Sequence, residues 1–263
     1  MARIMGVLNV TPDSFSDGGQ FTTIDEAVKR AYQMVTDGAD IIDIGGESTR
    51  PGAKPVSVDE EMARVMPVIE ALSGLDADIS IDTRRPAVAQ AAVQAGASIW
   101  NDVTALEFDE TSPDIAAKLG CKIVLMHMRG TPVTMQDNPH YKNVVAEVMG
   151  YLKERMRIAV KAGVKKGNII LDPGIGFGKR LEDNLDLMQH LDDFHILGRP
   201  ILLGASRKSF MGKIDGSDAE GRLGGSIASA IWGASLGASI VRVHDVKQTA
   251  QALKIWQAIG ETA

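Results

Sequence analysis

Ala39-Asp40-Ile41-Ile42-Asp43-Ile44-Gly45-Gly46 is a short apolar run that ends in glycine, and a stretch with helical spacing follows it. The same form returns at Asp78-Ile79-Ser80-Ile81-Asp82-Thr83, at Ile169-Ile170-Leu171-Asp172-Pro173-Gly174 and at Ile240-Val241-Arg242-Val243-His244-Asp245. Strand-like runs begin near Arg3, Ala39, Asp78, Ala97, Lys122, Asn168, Pro200 and Ser239. They are apolar rather than strictly alternating, as strands buried on both faces must be. Eight such units, each with a helical stretch after it, predict a single (β/α)8 TIM barrel, one domain over residues 1–263. The length is close to the ~250 residues usual for that architecture. Polar residues at the tips of the runs then mark the C-terminal face, where barrels keep their chemistry.

Helical segments are expected at Thr23–Gly38, with Thr23 and Glu26 as a capping box, and from Ser57, with Glu60 in the matching place. Others are expected at Ala87–Ala95, Ile115–Leu119, Val144–Ala162, Asp183–Phe194, Leu223–Leu236 and Gln248–Ile259. Two long loops, Thr11–Thr22 and Glu47–Val56, fall on the C-terminal face, and loops of this length in a barrel are usually functional.

The balance of 28 Lys and Arg against 34 Asp and Glu gives a net charge of -6, with no basic stripe, which argues against a nucleic-acid groove. Cys121 is the only cysteine, so no disulfide framework and no thiolate metal cluster is expected. No run approaches ~18 apolar residues, so no membrane span is expected. The apolar start breaks at Asn9, too early for a signal peptide. A soluble, cytoplasmic protein is the expectation.

Asp82, Asn101 and Asp172 close the third, fourth and sixth runs. Together they could read a flat heterocycle, since an ionised Asp accepts two N–H bonds and Asn both donates and accepts. Each could equally cap the helix that follows. Asp172-Pro173-Gly174-Ile175-Gly176-Phe177-Gly178-Lys179 is neither a Walker A loop nor G-x-G-x-x-G, because Pro173, Arg180 and Leu181 occupy the wrong positions. It reads as a strand end with a Gly-rich turn. Lys208 in Ser206-Arg207-Lys208 could meet a carbonyl or ring nitrogen, or be part of a solvated basic turn. Arg242 and His244 lie two apart on the eighth run and point the same way, toward the interior. A buried Arg needs a partner, and a ligand anion would serve, at the end of the barrel where phosphates often bind. The five histidines lack H-E-x-x-H spacing. A weakly held Mg²⁺ with oxygen ligands such as Asn9 stays open.

The chain resembles the dihydropteroate synthases over nearly its whole length. The resemblance rests on Asn9-Val10-Thr11-Pro12-Asp13-Ser14-Phe15-Ser16-Asp17-Gly18-Gly19, on Asp43-Ile44-Gly45-Gly46-Glu47-Ser48-Thr49-Arg50-Pro51-Gly52 and on Ile81-Asp82-Thr83. It continues through Asn101-Asp102-Val103, Met126-His127-Met128, Leu171–Lys179, Ser206–Phe210 and Arg242-Val243-His244-Asp245. It implies that a pterin diphosphate and 4-aminobenzoate are joined and diphosphate released. It also implies that Asp82, Asn101, Asp172 and Lys208 hold the pterin, with Val103, Met126, Phe177 and Gly204 around the ring. Asn9, Arg242 and His244 would hold the diphosphate with Mg²⁺, Asn9 as metal ligand. Asp17, Thr49, Arg50, Pro51 and Ser206 would complete the aminobenzoate site, with Asp17, Arg50, Asp82, Lys208 and Arg242 catalytic. A homodimer is implied too, with Gly224–Gly237 suited to close helix contact within or between subunits. Two other readings share the pterin residues: a corrinoid-dependent methyltransferase and a catalytically silent pterin binder.

Overall fold

The computed structural model describes residues 1–11, 20–47, 56–130, 135 and 139–261. The eight parallel strands are β1 (Arg3–Asn9), β2 (Ile41–Gly45), β3 (Asp78–Asp82), β4 (Ile99–Asp102), β5 (Lys122–Met126), β6 (Ile169–Asp172), β7 (Leu202–Leu203) and β8 (Ile240–Val243). Their order is β6-β5-β4-β3-β2-β1-β8-β7. A single parallel bridge, Leu171 to Ile201, joins the two ends into a barrel. Each strand lies where the sequence places it.

Alternation sorts the strand residues. Met5, Ile41, Ile99, Val124, Ile170, Leu202 and Ile240 form a separate apolar cluster inside the barrel. The residues two further along point the same way and are Val7, Asp43, Asn101, Met126, Asp172, Gly204 and Arg242. So the interior is filled by hydrocarbon below and turns polar toward the C-terminal rim. The other parity, including Ile42, Ile44, Ile81, Trp100, Leu125, Leu171 and Val241, packs outward against the helices in the main core.

The helices are α1 (Gln20–Thr36), α2 (Val58–Ala71), α3 (Pro86–Gln94), α4 (Ser112–Leu119), α5 (Val144–Ala162), α6 (Leu181–Gln189), α7 (Ser209–Asp215), α8 (Leu223–Ser235) and α9 (Val246–Gly260). Ser57 caps α2 as expected, accepting from the Glu60 N–H at 3.1 Å. The expected cap at Thr23 is wrong, because α1 already begins at Gln20. Helix α6 stops at His190, and a 3-10 stretch, Leu191–Leu197, replaces the rest of the expected helix. The short α7 had no periodic signal and was not expected. Two glycines of α8 allow close packing within the chain: a Cβ at Gly233 would run into Leu203 and one at Gly225 into Met211, while Gly224 has nothing near it. No helix among the described residues is long and apolar enough to cross a membrane.

Candidate active site

The register of the sheet brings the polar rim together. Gly45 pairs with Asp82, Asp82 with Asn101, and Met126 with Asp172. Arg242 reaches across the barrel from β8. Its Nε donates to Asp43 Oδ2 at 2.6 Å and its Nη2 to Asp82 Oδ2 at 2.7 Å. Asn101 Nδ2 donates to the same Asp43 oxygen at 3.1 Å. The sequence reading left Arg242 with a ligand anion as its partner; the structure supplies two carboxylates. Asp43 was missed, although a charged residue of inward parity in a wholly buried strand was a usable signal. Its other oxygen, Oδ1, is buried without a hydrogen-bond partner.

Burial pushes the Asp82 carboxyl up to about 7, against the pull of Arg242 and with help from the neighbouring Asp43 charge. Burial alone would lower the Arg242 guanidinium, but the two carboxylates raise it well above its ordinary value. The corner therefore holds one permanent cation beside a carboxyl poised near neutrality.

Asp172 ends β6. Its Oδ1 caps the turn by accepting from the Gly174 N–H at 2.7 Å. Its Oδ2 faces the gap left by Gly204, 3.8 Å from where a Cβ would sit. Burial raises the Asp172 carboxyl, opposed by that N–H and by Lys208. Lys208 stands with Nζ 3.9 Å from the centre of the Phe177 ring. Burial, then the Arg242 charge, pulls its ammonium down to about 8. Phe177 joins Val103, Met126 and Met135 in an apolar patch of its own, flanked by Met128. One wall is thus apolar, and the opposite corner is charged.

Ser206, buried after β7, accepts from the His244 backbone N–H at 3.2 Å and lies 3.1 Å from its Nδ1. Burial, with Arg242 and Arg207 nearby, lowers His244 to about 4, so the imidazole is neutral at pH 7. His244 and Asn9 both line a cavity of about 520 Å³ that also touches Arg207 and α1. Asp17, Thr49, Arg50 and Pro51 lie outside the described residues.

The Gly-rich turn after β6 hides a lysine to which the sequence reading gave no role. Lys179 is buried, and its Nζ donates to the carbonyls of Gly174 at 2.8 Å, Phe177 at 3.0 Å and His127 at 3.3 Å. His127 Nδ1 is 2.9 Å away. Burial and the Lys179 charge lower His127 to about 2, so its ring stays neutral and accepts. Gly174 and Gly178 are needed here, with φ of 70° and 63°, and a Cβ at either would strike the β5 exit at His127 or Arg129.

Among the described residues no group of three His, Cys, Asp or Glu is placed to hold a metal ion. Among the described residues, then, Asn9 has no closed protein cage around it. One amide oxygen does suit Mg²⁺ that keeps waters and takes its other ligands from a diphosphate.

Comparison with known proteins agrees with this geometry. The family model for pterin binding enzymes matches residues 5–244. Dihydropteroate synthase of Escherichia coli (strain K12) is 47% identical over 257 residues, spanning 97% of this chain and 91% of the relative. The solved Xanthomonas albilineans dihydropteroate synthase with 4-aminobenzoic acid is 48% identical, with a TM-score of 0.93, covering 98% of this chain and 93% of that one. A second structure of that enzyme, in complex with 7,8-dihydropteroate, has a TM-score of 0.89 at 44% identity, covering 98% and 94%. With its barrel, its Asp82–Arg242 rim and these relatives in agreement, the chain belongs to the dihydropteroate synthases of the pterin-binding enzyme family.

Proposed function

We propose that the protein is a transferase that joins 4-aminobenzoate to (7,8-dihydropterin-6-yl)methyl diphosphate, giving 7,8-dihydropteroate and diphosphate. The observation that carries the reading is the Asp82–Arg242 pair, a carboxylate and a guanidinium 2.7 Å apart at the mouth of the barrel. The reaction separates charge in that sense: the C–O bond to diphosphate breaks, and the methylene carbon beside the pterin becomes positive as the leaving group becomes more negative. Asp82 faces the forming cation, and Arg242, aided by neutral His244, faces the leaving group. Fixed charges of this kind lower the barrier without reorganising. The arylamine nitrogen then forms the C–N bond and loses one proton to solvent.

Asn101 and Asp172 present an amide and a carboxylate to the pterin edge, and Lys208 a donor to the ring. Val103, Met126 and Phe177 form the apolar wall, while the missing side chain of Gly204 leaves room against Asp172. Ser206, Thr49, Pro51, Arg50 and Asp17 complete the aminobenzoate side, the last four carried from the motifs alone. Asn9 would hold Mg²⁺, which when bound neutralises diphosphate charge. We further propose a cytoplasmic homodimer. Exposed Leu185, Ile196, Ile214 and Trp232 support it; α6 and α8 adjoin where the Trp232 indole donates to the Met188 carbonyl.

The test is diphosphate release from the purified protein, measured with and without 4-aminobenzoate, alongside dihydropteroate formation. Release coupled to product supports the proposal. Pterin binding with no turnover identifies a silent binder, and methyl transfer to a corrinoid protein identifies the methyltransferase reading.

A further inference from the structure

The chain leaves β4 through a turn that ordinary side chains disfavour. Ala105 and Leu106 are consecutive left-handed residues, with φ of 51° and 64°. There a Cβ crowds the neighbouring carbonyl oxygen, and only glycine rests easily. Both side chains are buried. Backbone of this kind persists only where the surroundings over-determine it, and it gathers at functional sites.

Two sets of contacts hold the turn. From within, Asp102 folds back over it. One carboxylate oxygen accepts the Thr104 N–H at 2.8 Å and the Thr104 hydroxyl at 2.7 Å, and the other accepts the Leu106 N–H at 2.8 Å. From outside, Arg155 reaches in from α5. Its Nε donates to the Ala105 carbonyl at 2.8 Å and its Nη1 to Glu107 at 3.2 Å. Arg155 is only 9% exposed. Tyr151, one helical turn earlier, gives its hydroxyl to Glu107 at 2.8 Å.

Asn101 and Val103 flank Asp102 directly. Asn101 is bonded to Asp43 in the charged corner, and Val103 lies in the apolar patch with Met126 and Phe177. The turn thus anchors the exit of β4 beside both residues, while α5 supplies none of the site residues named above.

We propose that Arg155 is a positioning residue for the pterin: by bonding the Ala105 carbonyl it holds Ala105 and Leu106 left-handed, which fixes the exit of β4 and keeps Asn101 and Val103 aimed at the barrel mouth. This rests on the reading of those two residues as pterin contacts.

Arg155→Met keeps the apolar stem and removes the donors. Calorimetry with 6-hydroxymethylpterin should show affinity about tenfold weaker, the scale of one lost buried hydrogen bond. The KM for 4-aminobenzoate at saturating pterin diphosphate should stay within about twofold. Adding Ala105→Gly removes the Cβ that makes the turn unfavourable, so the double variant should regain about threefold of the lost affinity. A residue that only fills space gives no such recovery. Asp102→Asn loosens the same turn from within; it should show the same loss and the same recovery, and it decides the matter if Arg155→Met does not fold. Asn101→Ala tests the underlying reading alone. Wild-type pterin affinity in Asn101→Ala overturns that reading and the inference with it. A weakened Asn101→Ala beside wild-type affinity in Arg155→Met and Asp102→Asn, or a loss that Ala105→Gly leaves untouched, overturns the role of Arg155 only.

Discussion

The two sides of the barrel mouth use charge differently. On the β2, β3 and β8 side, Asp43, Asp82 and Arg242 face one another at the barrel mouth, carboxylate against guanidinium. On the β4, β5 and β6 side, beyond Asn101 and Asp172, Val103, Met126 and Phe177 form an apolar patch, and a buried lysine that burial pulls down to about 7 stands behind it. Lys179 there has no acidic hydrogen-bond partner: three carbonyls and a neutral His127 surround it. Under the proposed function, the first arrangement aims charge at the reacting atoms. The second uses charge to shape loops behind an apolar wall. A substitution on the first side should therefore disturb chemistry, and one on the second side should disturb fit.

The sharpest break of that contrast is Arg242→Ala. It leaves Asp43 and Asp82 buried without their cation, and breaking a buried pair in this way costs about 3–5 kcal/mol. Thermal unfolding should register that loss, with turnover of the pterin diphosphate almost gone. Adding Asp43→Asn should restore part of the stability and none of the turnover; recovery of both would make Arg242 purely structural. Asp82→Asn comes next. It removes the charge facing the cation while keeping the shape, and kcat should drop about 100- to 1000-fold, as for other preorganised electrostatic groups. Wild-type kcat in that variant would move the reacting carbon away from β3.

The pH dependence sharpens the comparison further. With Asp82 near 7 and Lys208 near 8, kcat/KM reports groups of the free enzyme. Below pH 7 protonation of Asp82 removes the negative charge, so kcat/KM should fall by about tenfold per pH unit. Above pH 8 loss of the Lys208 proton should produce the opposite limb. The two values belong to the linked cluster rather than to single residues. In Asp82→Asn the acid limb should vanish from the residual activity; its survival would assign that limb elsewhere. The smallest effect is expected from Lys179→Met. Three carbonyls lose a donor, at about 1–3 kcal/mol of stability. The loop carrying Asp172 and Phe177 should loosen, raising KM for the pterin substrate about fivefold or less with kcat nearly constant. A fall in kcat instead would put Lys179 with the charged corner.

Strand positions were legible because parity and burial leave the same mark on a sequence. Asp82, Asn101, Asp172 and Arg242 could be read as one rim for that reason. Asp43 carried the same signal, but its role depends on two partners that arrive from β4 and β8, and no local pattern announces them. Lys179 reads as an ordinary lysine after glycines; its burial follows from carbonyls that face inward only once β5 and β6 are side by side. The left-handed turn at Ala105 and Leu106 contains neither Gly nor Asn, so nothing in its residue types marked it. Helix α7 is too short to show a period. Asp17, Thr49, Arg50 and Pro51 were legible only as parts of motifs.

The barrel closes on a single bridge between the exit of β6 and the short β7. Asp172 stands on one side of that seam, and Gly204 and Lys208 on the other. Under the proposed function, a ring gripped from both sides acts as a staple across this seam. Part of the binding energy then appears as closure of the sheet, since a ligand that favours the closed form stabilises it. Amide protons around Ile201 and Leu203 should exchange more slowly once pterin is bound, even though none of them touches it.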